Sequence, residues 1–411
     1  MALNYIWLAL FLIGIITGTV RLIFFGDTET LPQMMDSTFD MSKKAFEMAI
    51  GLTGMLTFWM GLMKIGEDSG LVHKLAKLLS PILSKLFPDI PEGHPALGSI
   101  FMNMSANMLG LDNAATPIGL KAMQELQSIN PQKDSASNSM IMFLVLNTSG
   151  LTLIPISIMA YRAANGASDP TDIFVPLLLT TLCSTIMGLI CVSVIQKINL
   201  FCKEFILLFA GLFTFIGCII FVISGMNNTE MQHFCRVLTS CLLFGTILLF
   251  LFSGIKKRIN VYDSFIQGAK GGFNVAISLI PYIVAILVAI GVFQVSGCMG
   301  WLQDGISKVV SWCGFDTDFV NALPVAVMKP LSGPAARGMM LQTFASYGPD
   351  SFVGHLASVF QGSTDTTFYI LAVYYGSVGI KKYRYSVKCG LLADLAGLLA
   401  AILISYAFFH Y

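Results

Sequence analysis

The amino-acid sequence predicts an all-α polytopic membrane protein with about nine transmembrane helices, two re-entrant or broken-helix hairpins and two inverted-topology repeats. Of the 411 residues, 55% are hydrophobic and 11% are charged, whereas a soluble globular domain has about 25% charged residues. The mean hydropathy of +0.75 agrees with this composition. A water-soluble enzyme is therefore excluded, and the net charge of +1 gives no indication of a nucleic-acid partner.

Apolar stretches mark the predicted crossings, each of which needs about 20 mostly apolar residues. Two of the stretches are interrupted by glycines and polar residues, at 264–293 and 352–378. The first stretch lacks the preceding cation and the following cleavage site of a signal peptide, so we expect it to remain as a helix. The seven continuous stretches are 2–25, 43–66, 138–163, 173–196, 204–225, 234–254 and 386–409.

Two other apolar segments, 96–127 and 317–347, are rich in Asn, Ser, Gly and Pro and are interrupted in the middle. We interpret both as hairpins, because irregular backbone survives at membrane depth only where protein or water satisfies it. If both hairpins return to the side they came from, the cations of 256–258 and 381–388 collect on one side. The positive-inside rule then predicts a cytoplasmic N-terminus and an external C-terminus.

The order of predicted elements occurs twice, over about 43–163 and about 264–378. Each copy has a helix, an amphipathic segment (71–87 or 299–313), a hairpin and a polar-centred helix. Four crossings lie between the first helices of the copies, so these helices run in opposite directions. Inverted repeats with broken helices are a recurrent plan for secondary transporters, although duplication of a structural scaffold produces the same symmetry.

Polar side chains cluster where the hairpins and the polar-centred helices are interrupted. Free N–H groups at helix N-termini attract anions, and Lys329 and Arg337 add positive charge, so an anionic or strongly polar solute is favoured. An ionisable group at membrane depth costs at least about 2.5–3.5 kcal/mol, so it normally faces a cavity. The predicted substrate-binding residues are Asn103, Asn107, Asn113, Thr116, Asn147, Thr148, Ser149, Lys329, Ser332, Arg337, Gln361, Ser363, Thr364 and Thr366.

Two aspartates of the same motifs, Asp112 and Asp365, are the predicted ion-coupling residues, since either can neutralise the cations, bind Na⁺ or carry a proton. Structural salt bridges that lock the hairpins are an equally open alternative. Asp394 is remote from the motifs in sequence, and we expect it to be paired structurally. No resident cofactor or metal is predicted, because the five histidines lack ligand spacing.

Enzymatic activity is not predicted either. A Ser–Lys dyad of Lys329 and Ser332 would suit an intramembrane hydrolase, but no third group is present to orient it. The glycines of 268–272 lack the GK[ST] ending of a phosphate loop.

At its motifs the sequence resembles the bacterial spore maturation proteins A and B, joined in one chain. Residues 1–200 resemble the A protein through "MNMSANMLGLDNAATPIGLKAM" at 102–123 and "NTSGLTLIP" at 147–155. Residues 231–411 resemble the B protein through "PLSGPAARGM", "GPDSFVGHLAS" and "QGSTDTTFYILAVYYGSVGIKK". The segment 201–230 then provides a connecting transmembrane helix.

The resemblance implies a nucleoside recognition or Gate domain in the bacterial cytoplasmic membrane, shared more remotely with concentrative nucleoside transporters. It also implies an involvement in spore-core dehydration. The leading hypothesis is a Na⁺- or H⁺-driven transporter of a small polar or anionic solute, nucleoside-like or carboxylate. The alternative is a non-transporting scaffold or assembly factor, whose charges would form closed salt bridges without a cavity. The bilayer, a small solute and a second copy in a homodimer are the expected partners.

Overall fold

The computed structural model describes residues 2–71, 84–91, 93–108, 112–153, 155–200, 228–312 and 316–410, with a few single positions between them. The predicted amphipathic segment 71–87 and connecting helix 204–225 fall largely outside the described residues, as do the side chains of Asp112 and Asn113. Over the described ranges the regular elements are helices, apart from one isolated bridge between Ser135 and Lys382.

Fifteen α-helices are named here in chain order, and short 3₁₀ turns at Ser84–Leu86 and Asp318–Ala322 accompany them. They are α1 (Ala2–Phe25), α2 (Thr30–Asp68), α3 (Pro95–Met108), α4 (Asp112–Ile129), α5 (Asn138–Thr148), α6 (Ile156–Ala164), α7 (Phe174–Gln196), α8 (Asn228–Lys257), α9 (Val261–Val295), α10 (Cys298–Trp312), α11 (Leu323–Met328), α12 (Gly333–Tyr347), α13 (Phe352–Gly362), α14 (Thr367–Ser377) and α15 (Ser386–Phe409).

Four helical stretches are long and apolar enough to cross a membrane by themselves: Trp7–Phe25, Phe174–Gln196, Ser240–Lys257 and Ser386–Phe409. They confirm apolar helices at four of the predicted crossings. A fifth span results if the end of α9 and α10, which meet at a bend of 74°, are counted together. The total of nine crossings stays a prediction.

The predicted crossing 138–163 is not one helix, because α5 ends at Thr148 and α6 begins at Ile156. Pro155 explains the break: it has no N–H to donate and disfavours helical backbone in the residue before it. The segment 352–378 is likewise divided into α13 and α14, by the polar run Ser363 to Thr366. Hydroxyl and carboxylate side chains compete for backbone hydrogen bonds and so interrupt helices. Each copy therefore contains a helical hairpin (α3–α4 or α11–α12) followed by a broken helix.

Helix α2 begins at Thr30, earlier than the predicted residue 43, and the Asp27 side chain satisfies its first residue. The carboxylate of Asp27 accepts hydrogen bonds from the N–H and the hydroxyl of Thr30. With 39 residues, α2 is about 58 Å long at 1.5 Å per residue. It therefore exceeds the roughly 30 Å hydrocarbon core of a bilayer.

Close backbone contact joins α2 to α9, the first helices of the two copies, along most of their lengths. A Cβ atom at Gly272 would lie 2.5 Å from the carbonyl oxygen of Leu56, and one at Gly268 would overlap the carbonyl oxygen of Met60. The spacing Gly268-xxx-Gly272 is the small-residue pattern that lets membrane helices approach each other. The glycine-rich run at 268–272 therefore has a packing role.

Two loop pairs hold the copies together away from the helices. In the first loop pair, residues 130–137 contact residues 378–385, and the amides of Lys381 and Lys382 donate to the carbonyl oxygen of Asp134, both at 2.9 Å. In the second loop pair, residues 165–173 contact residues 348–351, and the amide of Ser168 donates to the Asp350 carboxylate at 2.8 Å. Each pair joins the loop before one broken helix to the loop after the other.

Candidate functional site

Three backbone hydrogen bonds connect the interruptions of the helices. The amide of Leu153, between α5 and α6, donates to the Met108 carbonyl of the first hairpin at 2.9 Å. The amide of Phe368, at the start of α14, donates to the Pro330 carbonyl of the second hairpin at 3.1 Å. The amide of Asp365 donates to the Thr148 carbonyl at 2.7 Å and so links the two broken helices. All four interrupted elements therefore meet in one region.

A cavity of about 310 Å³ opens where they meet. Both hairpins and both broken helices contribute to its wall, and α7 adds Leu177. The N-terminal ends of α6, α12 and α14 also reach it, through Ile156, Gly333 and Thr366. Nine of the predicted site residues line it: Asn107, Thr116, Asn147, Lys329, Arg337, Gln361, Thr364, Asp365 and Thr366.

The charged groups of the wall are Lys329, Arg337 and Asp365. The guanidinium of Arg337 lies 5.3 Å from the ring centroid of Tyr161, a cation–π distance. Among the described residues no carboxylate is within ion-pair distance of Arg337, and its buried Nε has no hydrogen-bond partner. The Asp365 carboxylate accepts a hydrogen bond from the adjacent Thr366 amide. In this part of the chain Arg337 thus does not form the closed salt bridge of the scaffold alternative.

Asn103 lies behind the wall and is fully buried. Its Oδ1 accepts hydrogen bonds from Asn147 at 2.7 Å and from Asn107 at 3.3 Å, while its Nδ2 donates to the carbonyl oxygen of Ala115 at 2.7 Å. The bond from Asn147 joins the first hairpin to the first broken helix, and the bond from Asn107 lies within α3. Asn103 therefore positions two cavity-lining amides and does not itself reach the cavity.

Four predicted hydroxyl residues are also turned away from the cavity. Thr148, Ser149 and Ser363 each donate to the carbonyl oxygen three residues earlier. Ser332 accepts from the amide of Ala335 at 3.2 Å and so caps α12. All four satisfy backbone groups where helices begin or end. The predicted site residues Asp112 and Asn113 have side chains outside the described part.

Sequence reasoning missed two aromatic residues of the wall, Tyr369 and Tyr374. Tyr374 faces Asn103, Asn147 and Thr116. A Cβ at Gly119 would lie 2.6 Å from the Tyr374 hydroxyl oxygen, so only glycine leaves room for this ring. The signal was present in the helix after "QGSTD", where tyrosines occur at 369, 374 and 375 within a largely apolar run, since tyrosine suits positions with one apolar and one wet end.

The structural pairing expected for Asp394 stays a prediction. Asp394 is 2% exposed, and neither carboxylate oxygen has a hydrogen bond of normal length and angle, although the hydroxyls of Thr364 and Thr367 face it as donors. The break between α13 and α14 faces Asp394 in the structure, although the two are far apart in the sequence.

The second loop pair is centred on a buried cation. Arg162, which is 0% exposed, donates to the Pro349 carbonyl at 2.7 Å and forms ion pairs with Asp172 at 3.0 Å and Asp350 at 3.2 Å. His355 contacts the Asp172 carboxylate at 2.7 Å. Asp172, Asp350 and His355 are close enough to share a metal ion, but the guanidinium already supplies the positive charge. An exposed group of the same kind joins Asp316, Asp318 and His410.

Comparison with known proteins identifies the two copies. The family model described as nucleoside recognition, or Gate, matches residues 49–165 and 276–381, which together exceed half of the chain. The chain belongs to the Gate family. Both matched segments contain one hairpin and one broken helix, so the elements that build the cavity are those the family shares.

Two relatives from Bacillus subtilis (strain 168) are similar to parts of this Gate protein. Spore maturation protein A is 45% identical over 187 residues, which are 46% of this chain and 92% of that protein. Spore maturation protein B is 47% identical over 168 residues, which are 41% of this chain and 88% of that protein. These similarities support a fused A/B member of the family and agree with its membrane character.

Proposed function

We propose that this Gate protein is a transporter that moves a small polar or anionic solute, nucleoside-like or carboxylate, by ion-coupled alternating access of two inverted repeats. The observation that carries the proposal is the single cavity to which both hairpins and both broken helices contribute. Substrate sites between the discontinuous helices of two repeats are typical of secondary transporters.

The charge of the wall favours an anionic group. Lys329 and Arg337 contribute two positive charges against the one described carboxylate of Asp365. The N-terminal ends of α6, α12 and α14 add free N–H groups and partial positive charge. Arg337 has the planar guanidinium that binds a carboxylate in a bidentate manner, and the described carboxylates leave that guanidinium unpaired.

The size and the remaining lining favour a compact solute with a flat apolar part. A volume of about 310 Å³ is at the lower end of the roughly 300–1,000 Å³ that ligand pockets occupy. Tyr369 and Tyr374 offer aromatic surfaces, and Asn107, Asn147 and Gln361 offer amide hydrogen bonds. A nucleoside-like ring or a ring carboxylate combines both requirements.

The loop pairs support the inverted arrangement. The loop before α5 contacts the loop after α14, and the loop before α13 contacts the loop after α6. The two broken helices consequently run in opposite directions, as inverted copies require. With the charge distribution of the loops, the protein is assigned to the bacterial cytoplasmic membrane, with the N-terminus inside and the C-terminus outside.

The scaffold alternative draws on the names of the relatives, which describe spore maturation without a transported compound. It requires charges that are mutually closed and hairpins that leave no cavity. The unpaired Arg337 and the open wall favour transport over this alternative.

A thermal-stability screen of the purified protein tests the proposal. Nucleosides, nucleobases, dicarboxylates and pyridine carboxylates are added with and without Na⁺, because a ligand that binds only the folded state raises the melting temperature. One compound class is expected to stabilise the protein, and Arg337→Gln should abolish that shift. Arg258→Gln, on an exposed arginine at the end of α8, is the matched control and should retain it. A panel without any stabilising compound would favour the scaffold alternative.

A further inference from the structure

One face of α15 lies against the break between α13 and α14. Gly390, Asp394 and Gly397 are spaced i, i+4 and i+7, so they share this face. A Cβ at Gly390 would lie 2.7 Å from Cγ2 of Thr367, and one at Gly397 would lie 2.9 Å from Cγ2 of Thr364. The two glycines therefore let the α15 backbone approach the break, and the carboxylate of Asp394 lies between them.

Four buried oxygen atoms at this contact have no hydrogen-bond partner among the described residues: both carboxylate oxygens of Asp394 and the hydroxyls of Thr364 and Thr367. Thr367 is fully buried, and Thr364 and Asp394 are nearly so. The two hydroxyls face the carboxylate as hydrogen-bond donors, but neither reaches it with a hydrogen bond of normal length and angle. Buried polar atoms are normally bonded, so a group of four unbonded ones requires an explanation.

Two charged residues act on this carboxylate. Lys329 and Asp365 are the charged residues that influence Asp394 electrostatically, and their charges have opposite signs. An isolated carboxylate is strongly unfavourable in a buried position unless a cation or a proton accompanies it. Oxygen atoms that are close but not hydrogen-bonded are the surroundings that hard cations prefer.

We propose that Asp394, Thr364 and Thr367 bind a Na⁺ ion behind the cavity. Carboxylate and hydroxyl oxygens at a helix break are suitable ligands, and unwound backbone beside them can complete the coordination. Thr364 also lines the cavity, so the ion and the solute share one residue of the wall. The role of this Na⁺ as a coupling ion rests on the proposed function, whereas the binding of Na⁺ does not require transport.

The test measures the melting temperature of the full-length protein as NaCl replaces choline chloride at constant ionic strength, without any solute. Wild type should show a saturable rise of roughly 3–5 °C at a hundredfold excess over the dissociation constant. Asp394→Asn and the double variant Thr364→Val/Thr367→Val should lose this dependence. Asp304→Asn removes the same charge from an exposed position on α10 and should retain it.

The stability of Asp394→Asn without Na⁺ separates a binding role from a structural one. Removal of an unpartnered buried charge should leave the variant at least as stable as wild type in choline, whereas a carboxylate paired within the protein would leave it less stable. If the melting temperature of wild type does not depend on Na⁺ but rises on acidification, and Asp394→Asn removes that rise, the carboxylate binds a proton and the proposal is overturned. Wild type that responds to neither would also overturn it. A solute shift that persists in either case would leave the proposed function intact.

Discussion

The amide of Asp365 donates a hydrogen bond of 2.7 Å to the carbonyl oxygen of Thr148. Thr148 ends the first half of one broken helix, and Asp365 lies between the halves of the other. The last carbonyl groups of a helix have no partner within it, so an amide from one break satisfies a carbonyl group at the other. The two copies thereby depend on each other at the centre of the cavity, where a solute would act on both.

Gly268→Ala should destabilise the protein by about 1–3 kcal/mol, the usual cost of overpacking. The new methyl group would overlap the carbonyl oxygen of Met60 on α2, and a backbone atom cannot move aside. Thermal denaturation measures the stability of Gly268→Ala against that of a control variant. Gly271→Ala is the matched control on the same helix, because its nearest heavy atom is the end of the Met60 side chain at 3.9 Å. Equal stability of the two variants would contradict backbone contact between α2 and α9.

Gly119→Ala should weaken solute binding without unfolding the protein. The added methyl group would displace the Tyr374 ring and the Asn103 amide, which respectively line the cavity and position its wall. A larger apparent dissociation constant for any stabilising solute is expected. Gly98→Ala serves as the control, since it lies in open space in the same hairpin. If Gly119→Ala bound the solute as wild type does, Tyr374 would have no role in the cavity.

Arg162→Gln should cost about 2–3 kcal/mol of folding free energy. Breaking a wholly buried ion pair costs about 3–5 kcal/mol, and the value here is smaller because Asp172 and Asp350 keep partial contact with water. Lys382→Gln, which removes an exposed ion pair with Asp134 in the first loop pair, should cost less than about 1 kcal/mol. Chemical denaturation of both variants makes the comparison, and a reversed order would show that the second loop pair is not a structural contact.

The loop pairs should weaken in acid. The hydrogen bond and the charge of Lys382 lower the pKa of Asp134 below its usual value. A carboxylate whose folded-state pKa is lowered stabilises the fold above its unfolded pKa, and this contribution is lost as the pH falls through the folded value. The difference in melting temperature between wild type and Asp134→Asn should therefore be present at pH 7, begin to fall near about pH 4 and vanish once the pH is below the lowered pKa of the folded state. A difference that stayed constant over this range would exclude the ion pair as its source.

At the second loop pair, burial raises the pKa of Asp350, but hydrogen bonds from Ser168 and the charge of Arg162 outweigh it, and the net pKa is lowered. The same sign applies, so Asp350→Asn should lose its effect in the same acidic range. The neutral variant Ser346→Ala, on an exposed position of α12, should show no such dependence on pH.

Composition and apolar length were sufficient to predict helices that cross the membrane, since both follow from the bilayer as a solvent. The polar interruptions were also sufficient to predict that Lys329, Arg337 and Asp365 line one cavity, because unsatisfied backbone at membrane depth has to face water or protein. The residues at which 138–163 divides into two helices were not predicted, because a continuous apolar run conceals where the break before Pro155 begins and ends.

Other features depend on contacts between distant segments and have no local signal. Asn103 and Asn107 are the same residue type four positions apart, yet one is buried behind the wall and the other lines it. The approach of Asp394 to Thr364 joins residues 30 positions apart across a loop, and glycines on a different turn make it possible. Only the packing of α15 against the break shows which groups surround Asp394.

The glycine contact between α2 and α9 has a mechanical consequence. Side chains that touch can change rotamer and let helices slide, whereas a seam made by backbone atoms has no such freedom. These two helices, one from each copy, therefore form a stiff frame that cannot be adjusted in small steps. If the cavity changes the side of the membrane that it faces, as the proposed function requires, the hairpins and half-helices are the elements that would move against this frame.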